Sequence, residues 1–66
     1  MQKRYVIYEE DIDSNERSVA DILLSSSENA VKRRAKKIKD GTYRCIIVAY
    51  EDHPENGLRQ IYKSRK

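Results

Sequence analysis

The sequence predicts a small α+β domain with element order β(β)αββ, an antiparallel sheet of three or four strands with one main amphipathic helix packed on one face. Three observations carry this. Residues 3–9 (KRYVIYE) and 42–51 (TYRCIIVAYE) are dense in β-branched and tyrosine side chains. Residues 26–39 place apolar side chains at helical spacing between a serine run and a glycine. HPENG, residues 53–57, is a turn joining two runs of strand character, 42–51 and 58–64, which makes that region a hairpin. With 66 residues the chain makes one domain, 1–66, with a thin core. A homodimer sharing an apolar face is therefore compatible with the composition.

The first strand, 3–9, ends where the acidic DIDSNE run begins. Residues 17–24, RSVADILL, have two readings. As a strand, Ala20, Ile22 and Leu24 share a face and pair with the first strand through the DSNE turn. As a short helix, Val19, Ile22 and Leu23 follow the i, i+3, i+4 rule. The strand reading leads. In the helix that follows, Ser25 with Glu28 matches a capping box, and Ser26 or Ser27 serves equally as cap. Gly41 suits the left-handed residue that closes a helix C-terminus. Both faces of 42–51 are apolar, Cys45, Ile47 and Ala49 on one and Ile46, Val48 and Tyr50 on the other, which marks a central strand. Gly57 can supply a positive φ in the turn that follows.

The chain is electrically segregated. Net charge is only +3, but the basic groups concentrate in 32–39 and 59–66 while acids concentrate in 9–16 and 51–55. On the helix, Ala30, Val31, Ala35 and Ile38 fall within an arc of about 140°. Lys32, Arg33, Lys36, Lys37 and Lys39 fall opposite. Arg34 stands at the edge of the apolar arc, with its stem expected against the sheet. A solvated helix face usually mixes signs, and no acid lies between Glu28 and Asp40. Cations held along one surface neutralise phosphates and release counterions. The expected function is that of a small non-enzymatic accessory protein binding nucleic acid, DNA or RNA, through this helix and the basic C-terminal strand. The candidate contacts are Lys32, Arg33, Lys36, Lys37, Lys39, Arg59 and Lys63. The alternative is a protein–protein module, an inhibitor or adaptor, docking on an acidic protein surface without nucleic acid.

Residues 18–41 also resemble, as a degenerate match over 24 residues, the helix-turn-helix motif of DNA-binding regulators. SVADIL stands where that motif has a "VA..L" helix, and SENAVKRRAKKIKDG where it has an "S..TV.R" recognition helix. The chain departs from the motif at Leu24, where the turn normally has glycine. The resemblance implies that Ser27, Glu28, Asn29, Lys32 and Arg33 face the major groove and that the hairpin 42–64 is a wing.

Other chemistry finds less support. One cysteine and one histidine provide neither an intramolecular disulfide nor a His/Cys zinc site, and suit a reducing cytosol. No apolar run approaches the ~18 residues of a membrane span, and no signal peptide is evident, so a soluble cytoplasmic protein is expected. Parallel pairing of the first and third strands would bring Glu9, Glu10 and Asp11 near Glu51 and Asp52, a weak Mg²⁺ site. The leading reading is that these acids mark strand ends, and no metal or cofactor is assigned. The tyrosines, all in predicted strands, read as half-buried sheet residues before they read as base-stacking platforms. No base, orienter and nucleophile assemble around His53, and Cys45 reads as core, so catalysis is not expected.

Overall fold

The computed structural model describes residues 2–65. It contains strands β1 (Lys3–Asp11) and β2 (Arg17–Ser25), helix α1 (Glu28–Asp40), and strands β3 (Cys45–His53) and β4 (Gly57–Lys63). The four strands form one sheet in the order β2-β1-β3-β4, every neighbouring pair antiparallel. β2 and β3 thus run in the same direction on either side of β1, with α1 as the crossover between them. The predicted α+β architecture is the one observed, and residues 17–25 supply the fourth strand. The helix-turn-helix resemblance implies a helix over residues 18–23, and that segment is extended and paired with β1.

β1 and β3 are central because they alone combine apolar residues on both faces with long uninterrupted pairing. Tyr5, Ile7, Ile47 and Ala49 point toward the helix and pack with Val31 and Ala35, all at most 2% exposed. Leu23 from β2, Ile38 from α1 and Tyr62 from β4 close the periphery. Two bulges shape the outer strands. Between the Ile7–Asp21 and Tyr8–Val19 pairs Ala20 is the extra residue, and between Ala49–Tyr62 and Tyr50–Gln60 Ile61 is. Both extra residues pack against the helix-side core. A bulge resets the two-residue period of a strand. Ala20 consequently faces the core while Ile22 and Leu24 face the other way, where simple alternation places the three together.

The helix is capped by Ser27, whose Oγ accepts from the Ala30 N–H at 3.2 Å. Ser25 steadies the cap: its hydroxyl accepts from the Ser27 N–H at 3.0 Å. At the other end Gly41 has φ −92°, outside the left-handed region expected of it. Its N–H donates to the Ile38 carbonyl at 3.1 Å, and Thr42 N–H to Lys39 at 3.0 Å, so tightened i→i+3 bonds close the last turn. Positive φ occurs instead at Asn15 (60°), in the β1–β2 loop, and at Gly57 (78°), where the β3–β4 turn requires it. Asp11 Oδ1 organises the first of these loops by accepting from the N–H groups of Asp13 (2.8 Å) and Ser14 (3.1 Å).

Candidate nucleic-acid interface

Position along the helix decides which cations can meet a ligand. Val31 and Ala35 are buried against the sheet. Residues at about 100° to either side flank the sheet, and those near 180° face solvent. Arg33, Lys36 and Lys37 occupy the outward sector, all exposed. They stand at i, i+3 and i+4, so their Cβ atoms are neighbours ~5–6 Å apart. No ion pair joins any of the three to another described residue. The one acid in the same sector is Asp40, at the C-terminal end.

The flanking cations are engaged inside the fold. Arg34, at one edge of the buried stripe, donates through Nε to Asp21 Oδ2 on β2 at 3.0 Å. It therefore reaches across the helix–sheet seam. Lys39, at the other edge, donates through Nζ to the Cys45 carbonyl at the start of β3, 2.7 Å away. Lys32 lies 3.4 Å from Glu28 one turn earlier. Glu28 itself is shared, because Arg59 on β4 donates to it at 2.8 Å. The same Arg59 Nη2 donates to Glu51 at 2.7 Å. These contacts tether α1 to three strands.

Glu51 is the buried charged residue of this cluster, 6% exposed, with Lys3 a second cation at 3.6 Å. The Arg59 hydrogen bond holds its carboxyl below the usual carboxylate range, against the opposing effect of burial. Glu28 is held low by Arg59 first and by Lys32 second. Arg59 is pushed up in turn by Glu51 and Glu28 and stays charged at any accessible pH.

The seven candidate contacts therefore do not share one surface. Arg33, Lys36 and Lys37 form the outward patch, with Lys32 at its rim. Lys39 and Arg59 lie beside the patch and are directed into the helix–sheet seam. Lys63 pairs with Val48, whose neighbours Ile47 and Ala49 face the helix, so Lys63 stands on the opposite face of the sheet. Simple alternation along β4 puts Arg59 and Lys63, four residues apart, on one face; the Ile61 bulge is what separates them, and nothing in the composition marks it.

The remaining chemical groups are placed as follows. β1 and β3 are antiparallel, so Glu9, Glu10 and Asp11 sit beside Ile47, Ile46 and Cys45, while Glu51 and Asp52 sit beside Tyr5 and Val6's end of β1. The two acidic runs are at opposite ends, which removes the proposed convergence on a metal. Among the described residues no group of His, Cys, Asp and Glu could hold one. Cys45 is the first residue of β3 rather than its middle, and only partly buried. Desolvation first, then Glu9 and Asp11, push its thiol up, which keeps it protonated and weakly nucleophilic. His53 Nδ1 accepts from the N–H groups of Glu55 and Asn56, both at 3.1 Å, so the ring shapes its own turn. Tyr43 lies outside β3, 91% exposed, where a strand residue was expected. Tyr8 and Tyr50 make an edge-to-face pair with centroids 5.7 Å apart, and Arg17 lies over both rings. No helix among the described residues is long and apolar enough to cross a membrane. No known protein-family model, curated protein or solved structure matches this chain.

Proposed function

We propose that the protein is a non-enzymatic nucleic-acid-binding domain whose contact surface is the outer face of α1. The supporting observation is the selective engagement of cations: Arg34, Lys39 and Arg59 have partners in the fold, whereas Arg33, Lys36 and Lys37 stand together with none among the described residues. Folding accounts for the first group; to the second it gives only the helix-dipole contribution of Lys37 in the last turn. Three clustered cations on a rigid helix suit phosphates, each displacing condensed counterions. Two of the three cations are lysines, which act as point charges, and Arg33 is the single guanidinium of the patch, so binding is mainly to backbone and weakly dependent on sequence. The surface is narrower than the basic composition suggests, and the C-terminal strand is not part of it.

The test is fluorescence anisotropy with labelled duplex DNA, single-stranded DNA and RNA at two salt concentrations. Binding should weaken as salt rises, and the combined Arg33→Glu, Lys36→Glu and Lys37→Glu variant should lose it while melting within a few degrees of the parent. Absence of binding below ~100 μM in low salt overturns the reading. Undiminished binding by the triple variant does the same. An acidic protein surface then becomes the partner class to pursue.

A further inference from the structure

Four of the five exposed large hydrophobic side chains among the described residues lie on one surface, the sheet face that α1 leaves uncovered. They are Val19, Ile22 and Leu24 on β2, 50–67% exposed, and Leu58 on β4, 49% exposed. Register fixes their side: Val19 pairs with Tyr8, Ile22 with Val6, Leu24 with Arg4 and Leu58 with Asp52. Arg4, Val6 and Tyr8 alternate with Tyr5 and Ile7, which face the helix, and Asp52 follows Glu51, the partner of Tyr5. The middle of the same face holds Val6, Val48, Tyr8 and Tyr50, and Val6 and Val48 are already at most 6% exposed. An apolar strip thus runs across β2, β1 and β3; on β4 the same rows hold Gln60 and Lys63, and Leu58 stands in the row of Arg4 and Asp52.

Charges on this face stand at its two ends, each end nearly neutral. Arg4 pairs with Asp52 at 3.2 Å at one end. Arg17 pairs with Glu10 at the other. Lys63 adds one cation near the β4 edge. An apolar centre within a polar rim is the anatomy of a protein–protein interface. The absence of a strong positive field sets it apart from the helix face. The Arg17 guanidinium reaches in from its end to lie over Tyr8 at 5.0 Å and Tyr50 at 5.6 Å, so whatever covers this face packs on that guanidinium as well as on the rings.

We propose that this face is covered by a second copy of the chain, the two sheets stacking face to face in an isologous homodimer. Four strands ~4.8 Å apart with ~25 Å of common length give about 500 Å² per copy. The pair then removes about 1,000 Å² from water, the lower bound for a specific interface. A two-fold arrangement needs a self-complementary surface. Each end of this face carries both signs, Arg4 with Asp52 and Arg17 with Glu10, so opposite charges are available to face one another across a two-fold axis. The chain also has reason to bury it, since a 66-residue domain has little core of its own. This inference uses the opposite side of the sheet from the nucleic-acid patch, and either can fail without the other.

Sedimentation velocity over about 1–300 μM tests it, a range suited to micromolar dissociation constants. The parent should shift from monomer to dimer with rising concentration. Ile22→Ser and Leu24→Ser should each weaken dimerisation at least ~10-fold, every substitution acting twice across the two-fold axis. The Lys36→Glu, Lys37→Glu pair should leave it unchanged. If a serine variant loses its fold, methyl NMR on the parent decides. Val19, Ile22 and Leu24 methyls should move on dilution while Val31 and Ala35 stay fixed. A monomer throughout the range overturns the proposal. So does a dimer indifferent to both serine variants, which would point to pairing of the β2 or β4 edge. Open-face methyls that respond to an oligonucleotide and not to dilution would also overturn it.

Discussion

Arg59 on β4 donates to Glu51 on β3 at 2.7 Å, with the same nitrogen that holds Glu28 of the helix. Glu51 is the buried member, and Lys3 at 3.6 Å is its other cation. Removing Arg59 leaves a carboxylate in poor contact with water and weakly paired, which costs more than losing an exposed ion pair. Arg59→Ala should therefore lower the melting temperature more than Arg33→Ala, whose side chain has no partner among the described residues. Glu51→Gln should fall between them, since the amide oxygen can still accept from Arg59. Circular-dichroism melts at neutral pH rank the three, and a flat ranking would show that the cluster is not stabilising.

The same cluster sets an acid limb. Glu51, Glu28 and Asp11 are all held below their ordinary values, the first two by Arg59 and Asp11 by the N–H groups of Ser14 and Asp13. As pH falls, the unfolded chain takes up protons first, so it is favoured. The contribution of these groups is complete above their unfolded values, near 4.5 for the glutamates and 3.8 for Asp11. It disappears as pH falls through the lower folded ones. Melting temperature should be steady from pH 7 to about 5 and drop below that. In Arg59→Ala the drop should be shallower, because Glu51 and Glu28 return toward ordinary behaviour.

The two faces of the sheet separate core from surface. Ile47 is fully buried beneath α1, so Ile47→Ala should cost about 2–5 kcal/mol in urea unfolding. For so small a domain that removes most of the stability. Ile22→Ala, at a half-exposed position on the open face, should cost less than ~1 kcal/mol when measured at a concentration where the chain is monomeric. Comparable losses at both positions would mean that the open face is as much a core as the helix side.

Much of this architecture is legible in the sequence, because periodicity and turn chemistry are local. The helical spacing of Val31, Ala35 and Ile38, the alternation around Ile47 and Val48, and the turn at Gly57 all act within a few residues. Three features were not local. Ser25, Ser26 and Ser27 offer the same hydroxyl, and the fold uses Ser27 as the cap while Ser25, the last residue of β2, accepts from the Ser27 N–H. Single-residue bulges at Ala20 and Ile61 reset which side chains face the core, and no composition marks them. The basic helix was legible as basic. Its division into tethers and free cations was not, because Asp21, Cys45 and Arg59, which make the tethers, come from three different strands.

That division is measurable on the nucleic-acid reading. Lys37 points to solvent, so Lys37→Ala should leave the melting temperature nearly unchanged. It should reduce the slope of log K against log salt by up to ~0.9, the contribution of one phosphate contact. Lys39 donates to the Cys45 carbonyl, so Lys39→Ala should lower the melting temperature and leave the slope nearly unaltered. Identical behaviour of the two variants in either assay would mean that the tether does not distinguish them.

A dimer joined through the open sheet faces would carry its two α1 helices on opposite outer surfaces. Stacked sheets lie ~10 Å apart, and with a helix layer outside each sheet the two basic patches end on opposite sides of the assembly. A single short duplex cannot reach both, so the second patch adds no avidity on one oligonucleotide. Two duplexes can be held at once. Affinity for one short duplex should therefore be the same for the parent and for Leu24→Ser. Co-capture of a labelled duplex on a surface bearing a second, immobilised duplex should occur with the parent alone. Co-capture that survives Leu24→Ser, in a variant shown to be monomeric, would mean that one chain holds both duplexes and that a second binding surface exists beyond Arg33, Lys36 and Lys37.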